Sequence, residues 1–133
     1  MKYFADTNII LYTIGQDNRK TELTRSLIKR ELELVVSTQV INECVNVCLR
    51  KLNFTRQKAY YFADQIMSAT NVVAVNEETV RKSAEIAINH QISNWDALII
   101  ASALLSDCSI LYSEDMQQGQ VFDNQLSIIN PFV

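Results

Sequence analysis

Five short apolar runs, each too brief to make a helix, recur along this chain between longer stretches of helical spacing. The runs lie at 2–5, 34–36, 72–75, 109–112 and 126–129. Runs of this length, rich in Val, Ile and aromatic residues, read as strands. Between them, apolar residues recur at helical intervals. A short helix is expected over 7–12, with apolar positions 10, 11 and 14. Another is expected over 20–32, with Leu23, Leu27 and Ile28 on one face. Ser37-Thr38 supplies an N-cap for a helix at 39–51, and 55–69 carries Ala59, Phe62, Ala63 and Ile66 inward. A helix at 77–90 follows Asn76, with Val80, Ala84, Ala87 and Ile88 facing in, and a last one covers 94–105. Strands alternating with helices predict an α/β domain whose mostly parallel sheet is covered on both faces.

The length, 133 residues, suits one compact domain over 1–133. Two glycines and one proline argue against long flexible linkers. No apolar stretch approaches the ~18 residues of a membrane span, and no basic-then-apolar leader opens the chain, so a cytoplasmic protein is expected. Cys44, Cys48 and Cys108 lack a disulfide-scaffold spacing, and with a lone histidine, His90, they make a poor zinc set. They are expected to be small buried apolar residues, and His90 a helix-end residue without a catalytic task.

Charge is unevenly spread. All twelve Lys and Arg lie in residues 1–82, nine of them between Arg19 and Lys58, whereas residues 83–133 hold six acids and no base. A polyanion docking on the first half would produce this division, and so would solvated helix faces.

Four acids occupy one kind of position. Asp6 ends the first apolar run, Asp115 follows 109–112, and Glu43 and Asp96 fall in the early turns of predicted helices. In parallel sheets such positions gather beyond the carboxyl ends of the strands, where functional groups collect. Each has a bland explanation on its own. Asp6 caps a helix, Asp96 stands at capping-box spacing from Ser93, and Asp115 lies in a turn. Glu43 is beyond capping reach, with Gln39, Val40, Asn46 and Val47 as same-face neighbours. Carboxylates crowded together cannot all ionise without compensation, and no Lys or Arg adjoins any of the four. Oxygen-only ligands of high charge suit Mg²⁺ or Mn²⁺. Thr7, Asn8 and Ser113 stand beside these acids, as groups that could orient a carboxylate or a water.

Phe4-Ala5-Asp6-Thr7-Asn8-Ile9-Ile10-Leu11-Tyr12, Val40-Ile41-Asn42-Glu43, Asn94-Trp95-Asp96-Ala97-Leu98-Ile99-Ile100-Ala101-Ser102-Ala103 and Tyr112-Ser113-Glu114-Asp115 occur in this order. Together they resemble the PIN domain, in particular the small VapC-type toxins of bacterial toxin–antitoxin pairs. The resemblance covers the whole chain, including Ile128-Ile129-Asn130-Pro131-Phe132. It implies a three-layer α/β/α sandwich with about five strands, and a Mg²⁺- or Mn²⁺-dependent endoribonuclease. Asp6, Glu43, Asp96 and Asp115 would form the acidic metal cluster, with Thr7 or Asn8 and Ser113 as polar helpers. It further implies a homodimer and a cognate antitoxin. Many relatives carry Thr in place of Ser113, and several carry another acid where Met116-Gln117-Gln118-Gly119-Gln120 stand here. That departure points to a single-metal resting state.

The expected activity is therefore hydrolysis of RNA phosphodiesters. Asp6, Asp96 and Asp115 hold the ion, and Glu43 binds it through water or acts as general base. In-line attack would leave a 5′-phosphate and a 3′-hydroxyl. Phe54, Tyr60, Tyr61 and Trp95 are available to stack on bases, although core packing is the default for most. Two other classes compete. A phosphatase using Asp6 as nucleophile would want a second acid where Asn8 stands; a non-catalytic RNA- or partner-binding module would gain nothing from clustered carboxylates.

Overall fold

A computed structural model describes residues 1–30 and 33–133; positions 31 and 32, the end of the helix predicted over 20–32, lie outside the described residues. Strands are β1 (Tyr3–Ala5), β2 (Leu34–Ser37), β3 (Asn71–Val73), β4 (Ile110–Tyr112), β5 (Val121–Phe122) and β6 (Leu126–Ile129). Helices are α1 (Thr7–Leu11), extended by a 3₁₀ turn at Tyr12–Ile14, α2 (Asn18–Arg30), α3 (Thr38–Arg50), α4 (Arg56–Ala69), α5 (Glu77–His90) and α6 (Asn94–Leu105).

The strands form one sheet in the order β3-β2-β1-β4-β6-β5, parallel except for the β5–β6 edge pair. Helices flank this sheet as the three-layer expectation requires. The sixth strand was not legible as one: β5 has two residues and turns back through Asp123 and Asn124, both at positive φ, as in a tight hairpin. The order reverses between β1 and β4, so the carboxyl ends of these central strands flank the crevice where α/β sheets place their ligands.

The core is continuous. Phe4, Val36, Ile100, Leu111 and Ile128 are completely or almost completely buried, and all three cysteines are buried and free. Burial pushes the Cys108 thiol up to about 12 and raises those of Cys44 and Cys48, so they remain protonated packing groups. Among the described residues, no helix is long and apolar enough to cross a membrane.

Two helix faces differ from the periodicity. In α5 the inward residues are Thr79, Ser83 and Ile86, while Val80 and Ile88 are exposed, Ala84 points outward and Ala87 is half-buried. The hydroxyls can be buried because they are satisfied locally. Thr79 forms a capping box with Asn76, and Ser83 Oγ donates to the Val80 carbonyl at 2.7 Å. Small residues then let α5 pack closely on α6, which is buried almost all round. In α2, Leu23 is exposed and Thr21 and Thr24 join Leu27 inside.

Candidate active site

Asp6 leaves β1 between its neighbours. Its backbone N–H donates to the Tyr112 carbonyl at 3.0 Å, and its own carbonyl accepts from Ile9 and Ile10, which starts α1. Its side chain is an N-cap, Oδ1 accepting from the Thr7 backbone N–H at 2.7 Å. The bland reading is therefore true of Asp6, but it occupies only one oxygen. Oδ2 accepts from Ser113 Oγ at 3.0 Å, and Ser113, completely buried, accepts in turn from the Met116 N–H at 3.2 Å. Burial, opposed by these two hydrogen bonds and reinforced by Asp96 and Glu43, pushes the Asp6 carboxyl up to about 6.

The remaining acids come to the same place from different elements. Glu43, in the second turn of α3, accepts from Thr7 Oγ1 at 2.7 Å. Asp115, three residues past β4, accepts from Asn8 Nδ2 at 2.6 Å. Asp96 lies in the first turn of α6, where a negative charge suits the helix dipole. Ser93 caps that helix by accepting from the Asp96 N–H at 3.1 Å, without a reciprocal bond. Among the described residues the Asp96 carboxylate has no hydrogen-bond partner, and no Lys or Arg pairs with any of the four acids.

All four acids, with Thr7 and Asn8, line one cleft of about 280 Å³. Ser113 supports it from beneath through Asp6. Of the neighbours expected beside Glu43, Gln39, Asn46 and Val47 line the cleft as well, whereas Val40 is turned into the core. As placed, no three acids among the described residues stand close enough to grip one ion together. Each of Asp6, Glu43 and Asp115 is turned instead to a neutral donor, which is where uncompensated carboxylates settle. The donor chemistry nevertheless fits a hard divalent cation: oxygen only, multiply charged, partly desolvated, with no cationic side chain lining the cleft.

Three of the four aromatic residues available for stacking lie outside the core, and one acid beside the cleft, Glu114, carried no signal in the sequence. Trp95 lines its rim and is 62% exposed, and Tyr60 and Tyr61 are also exposed on α4, so none of the three is a core residue. Beside Asp115, Glu114 is engaged by Lys20 and by Tyr12. No local signal joins residues 94 and 102 positions apart in the chain. His90 ends α5 with its ring edge-on to Phe122, away from the acids.

Comparison with known proteins adds a family and a set of related folds. The model of the PIN domain matches residues 3–121. A search of curated proteins finds no match. Among solved structures, the chain is similar to DNA-bound VapBC from Salmonella typhimurium, with a TM-score of 0.75 and 14% identity over 96% of each chain. A toxin–antitoxin complex from Klebsiella pneumoniae gives 0.72 and 15% over 98% of each. Mycobacterium tuberculosis VapC20, a sarcin-ricin loop cleaving toxin, gives 0.71 and 16% over 86% of this chain and 90% of that one. At such identities the likeness shows a shared fold.

Proposed function

Because this chain belongs to the PIN domain family, we propose that it is a single-domain, Mg²⁺- or Mn²⁺-dependent endoribonuclease, the toxin of a toxin–antitoxin pair. One observation carries the reading. Four carboxylates from four separate segments line a cleft at the sheet's switch point, and no cationic side chain neutralises them. A binding module for a polyanion would gain repulsion from that arrangement.

Asp6, Asp96 and Asp115 would hold the ion, with Glu43 reaching it through water or taking a proton from the attacking water. A divalent ion bound there supplies phosphoryl polarisation and a water of lowered pKa. The protein's part is placement. Ser113 fixes one Asp6 oxygen, Thr7 fixes Glu43 and Asn8 fixes Asp115, so three neutral donors orient three acids. Glu43 accepts one hydrogen bond through Oε1, and its other oxygen is available to a water. In-line attack would leave 5′-phosphate and 3′-hydroxyl ends.

An antitoxin and a homodimeric state belong to the same reading. They are supported by the toxin–antitoxin complexes that share this fold and by exposed apolar groups such as Tyr60, Tyr61 and Ile88.

The test is incubation with structured RNA in Mg²⁺, in Mn²⁺ and in chelator, beside a chromogenic phosphate ester. Cleavage of RNA that stops with chelator and with Asp6→Asn supports the nuclease. Hydrolysis of the ester alone would indicate the phosphatase, and turnover of neither substrate a binding module.

A further inference from the structure

A second groove, of about 650 Å³, opens from the acid cleft. It shares Gln39, Glu43, Asn46 and Trp95 with the cleft and continues past Asn42 to Val75 and Leu98. Its chemistry is unlike that of the cleft. No Lys or Arg lines it, and Glu43, at the junction, is its one charged group. The walls are side-chain amides on one side and an aromatic ring with aliphatic groups on the other. Such a lining suits a flat, uncharged, hydrogen-bonding molecule better than a phosphate or a cation.

The amides are available. Gln39, Glu43 and Asn46 recur at helical spacing, and Asn42 lies one turn before Asn46, on the outer face of α3 whose inner face is Val40, Ile41, Cys44 and Cys48. Asn42 and Asn46 are exposed, and neither side chain is hydrogen-bonded among the described residues. Gln39 Nε2 donates to the Trp95 carbonyl at 3.3 Å, while its shielded Oε1 has no donor. Turning this amide toward a ligand sacrifices one long hydrogen bond. Trp95, at 62% exposure, is a large aromatic surface left to solvent on a helix whose eight residues from Ala97 to Leu104 are buried.

We propose that this groove is a nucleobase subsite. An unpaired base next to the scissile phosphate stacks on Trp95 and presents its edge to the amides of Asn42 and Asn46, with Gln39 at the junction. The inference rests on the ribonuclease reading of the adjoining acids. It adds the part of the substrate the protein reads: single-stranded RNA is recognised by stacking splayed bases on aromatic rings and hydrogen-bonding their edges. Phosphate position is set at the acids, base identity one to four residues from Glu43 on the same α3 face and at Trp95.

Trp95 is the chain's only tryptophan, so its emission reports on the subsite directly. The full chain carrying Asp6→Asn, in Mg²⁺ buffer, is titrated with a short unstructured RNA and with the same backbone bearing abasic riboses. The intact RNA is expected to quench emission saturably, and the abasic chain to bind roughly 5- to 100-fold more weakly without quenching, as loss of one stacked base implies. Trp95→Ala should weaken RNA binding by the same factor, with Trp95→Phe restoring most of it. In the otherwise unaltered enzyme, Asn42→Ala and Asn46→Ala should redistribute the cut sites.

Equal binding of intact and abasic chains with unchanged emission overturns the subsite. An unchanged cut-site pattern in Trp95→Ala, with normal folding by circular dichroism, does so too. If the wild-type enzyme cuts RNA under either result, the nuclease stands and the subsite falls. If RNA quenches Trp95 yet is never cut, the subsite stands and the nuclease falls.

Discussion

Glu114 and Asp115 follow one another after β4, yet Glu114 is met by Lys20 and Tyr12 whereas Asp115 receives one amide hydrogen bond from Asn8. The Lys20 ammonium, with the Tyr12 hydroxyl, holds the Glu114 carboxyl below its usual range, and Glu114 in turn raises the pKa of both partners. Lys20 Nζ also lies 4.8 Å from the centre of the Tyr12 ring and 5.2 Å from that of Phe132, so this corner ties α2 to both ends of the chain. At the cleft the same residue type is treated in the opposite way. Asp6 is half-buried with neutral donors only, and its carboxyl is raised to about 6. Acids that secure the fold receive a cation; those lining the cleft are left unneutralised. Such an arrangement is costly by itself, and under the proposed function a bound cation would offset that cost.

The strongest way to break this contrast is Asp6→Asn. Asparagine also caps helices well, so the fold should survive. RNA cleavage should fall by about 10²–10⁴-fold, as for loss of a principal catalytic group, in a gel assay with labelled substrate. If cleavage persists, the acids are not the active centre.

Ser113→Ala removes the hydroxyl that donates to Asp6 and accepts from Met116. It should reduce cleavage by about 10–100-fold, as for groups that orient metal ligands. It should also cost about 1–2 kcal/mol in urea unfolding. Ser113→Thr should recover most of both.

Stability should depend on pH in a direction set by Asp6. Its folded pKa, about 6, exceeds the ordinary value of 3.8, so the folded state binds more protons between these values. Stability of the chelator-treated protein should therefore be fully retained at the acid end and decline as pH rises from about 4 to about 6. The decline from this group is up to ~3 kcal/mol. Asp6→Asn should flatten that segment of the curve, and be the more stable protein at neutral pH. Saturating Mg²⁺ should raise Tm above pH 6 in the wild type and much less in Asp6→Asn. A rise in wild-type stability across the window would contradict the burial of an ionised Asp6.

Lys20→Met gives the smallest effect. It should return the Glu114 carboxyl toward its ordinary pKa, measurable by NMR titration, and lower Tm slightly. Cleavage should fall by no more than about tenfold, because Asp115 keeps its own contact with Asn8. A loss as large as that of Asp6→Asn would make Glu114 part of the active centre.

Local signals determined most of the element boundaries. Asn76 and Ser93 mark the starts of α5 and α6 as their capping chemistry predicts, and the short β-branched runs all became strands. The four acids, with Thr7, Asn8 and Ser113, were legible because each lies at an edge between elements, and parallel topology carries such edges to one rim. Tertiary structure decided what depends on packing partners. Apolar spacing turned Val80, Ala84 and Ile88 of α5 inward, but a closely packed α6 selected the small hydroxyl face instead. Spacing could not choose, because a satisfied hydroxyl and a methyl are nearly equivalent in a tight contact. The Lys20–Glu114–Tyr12 cluster, the two-residue β5 and the groove beneath Trp95 likewise depend on residues distant in sequence meeting in space. The chain by itself set which four acids reach the rim; only the folded protein gave the neighbouring Glu114 a cation and left those four without one.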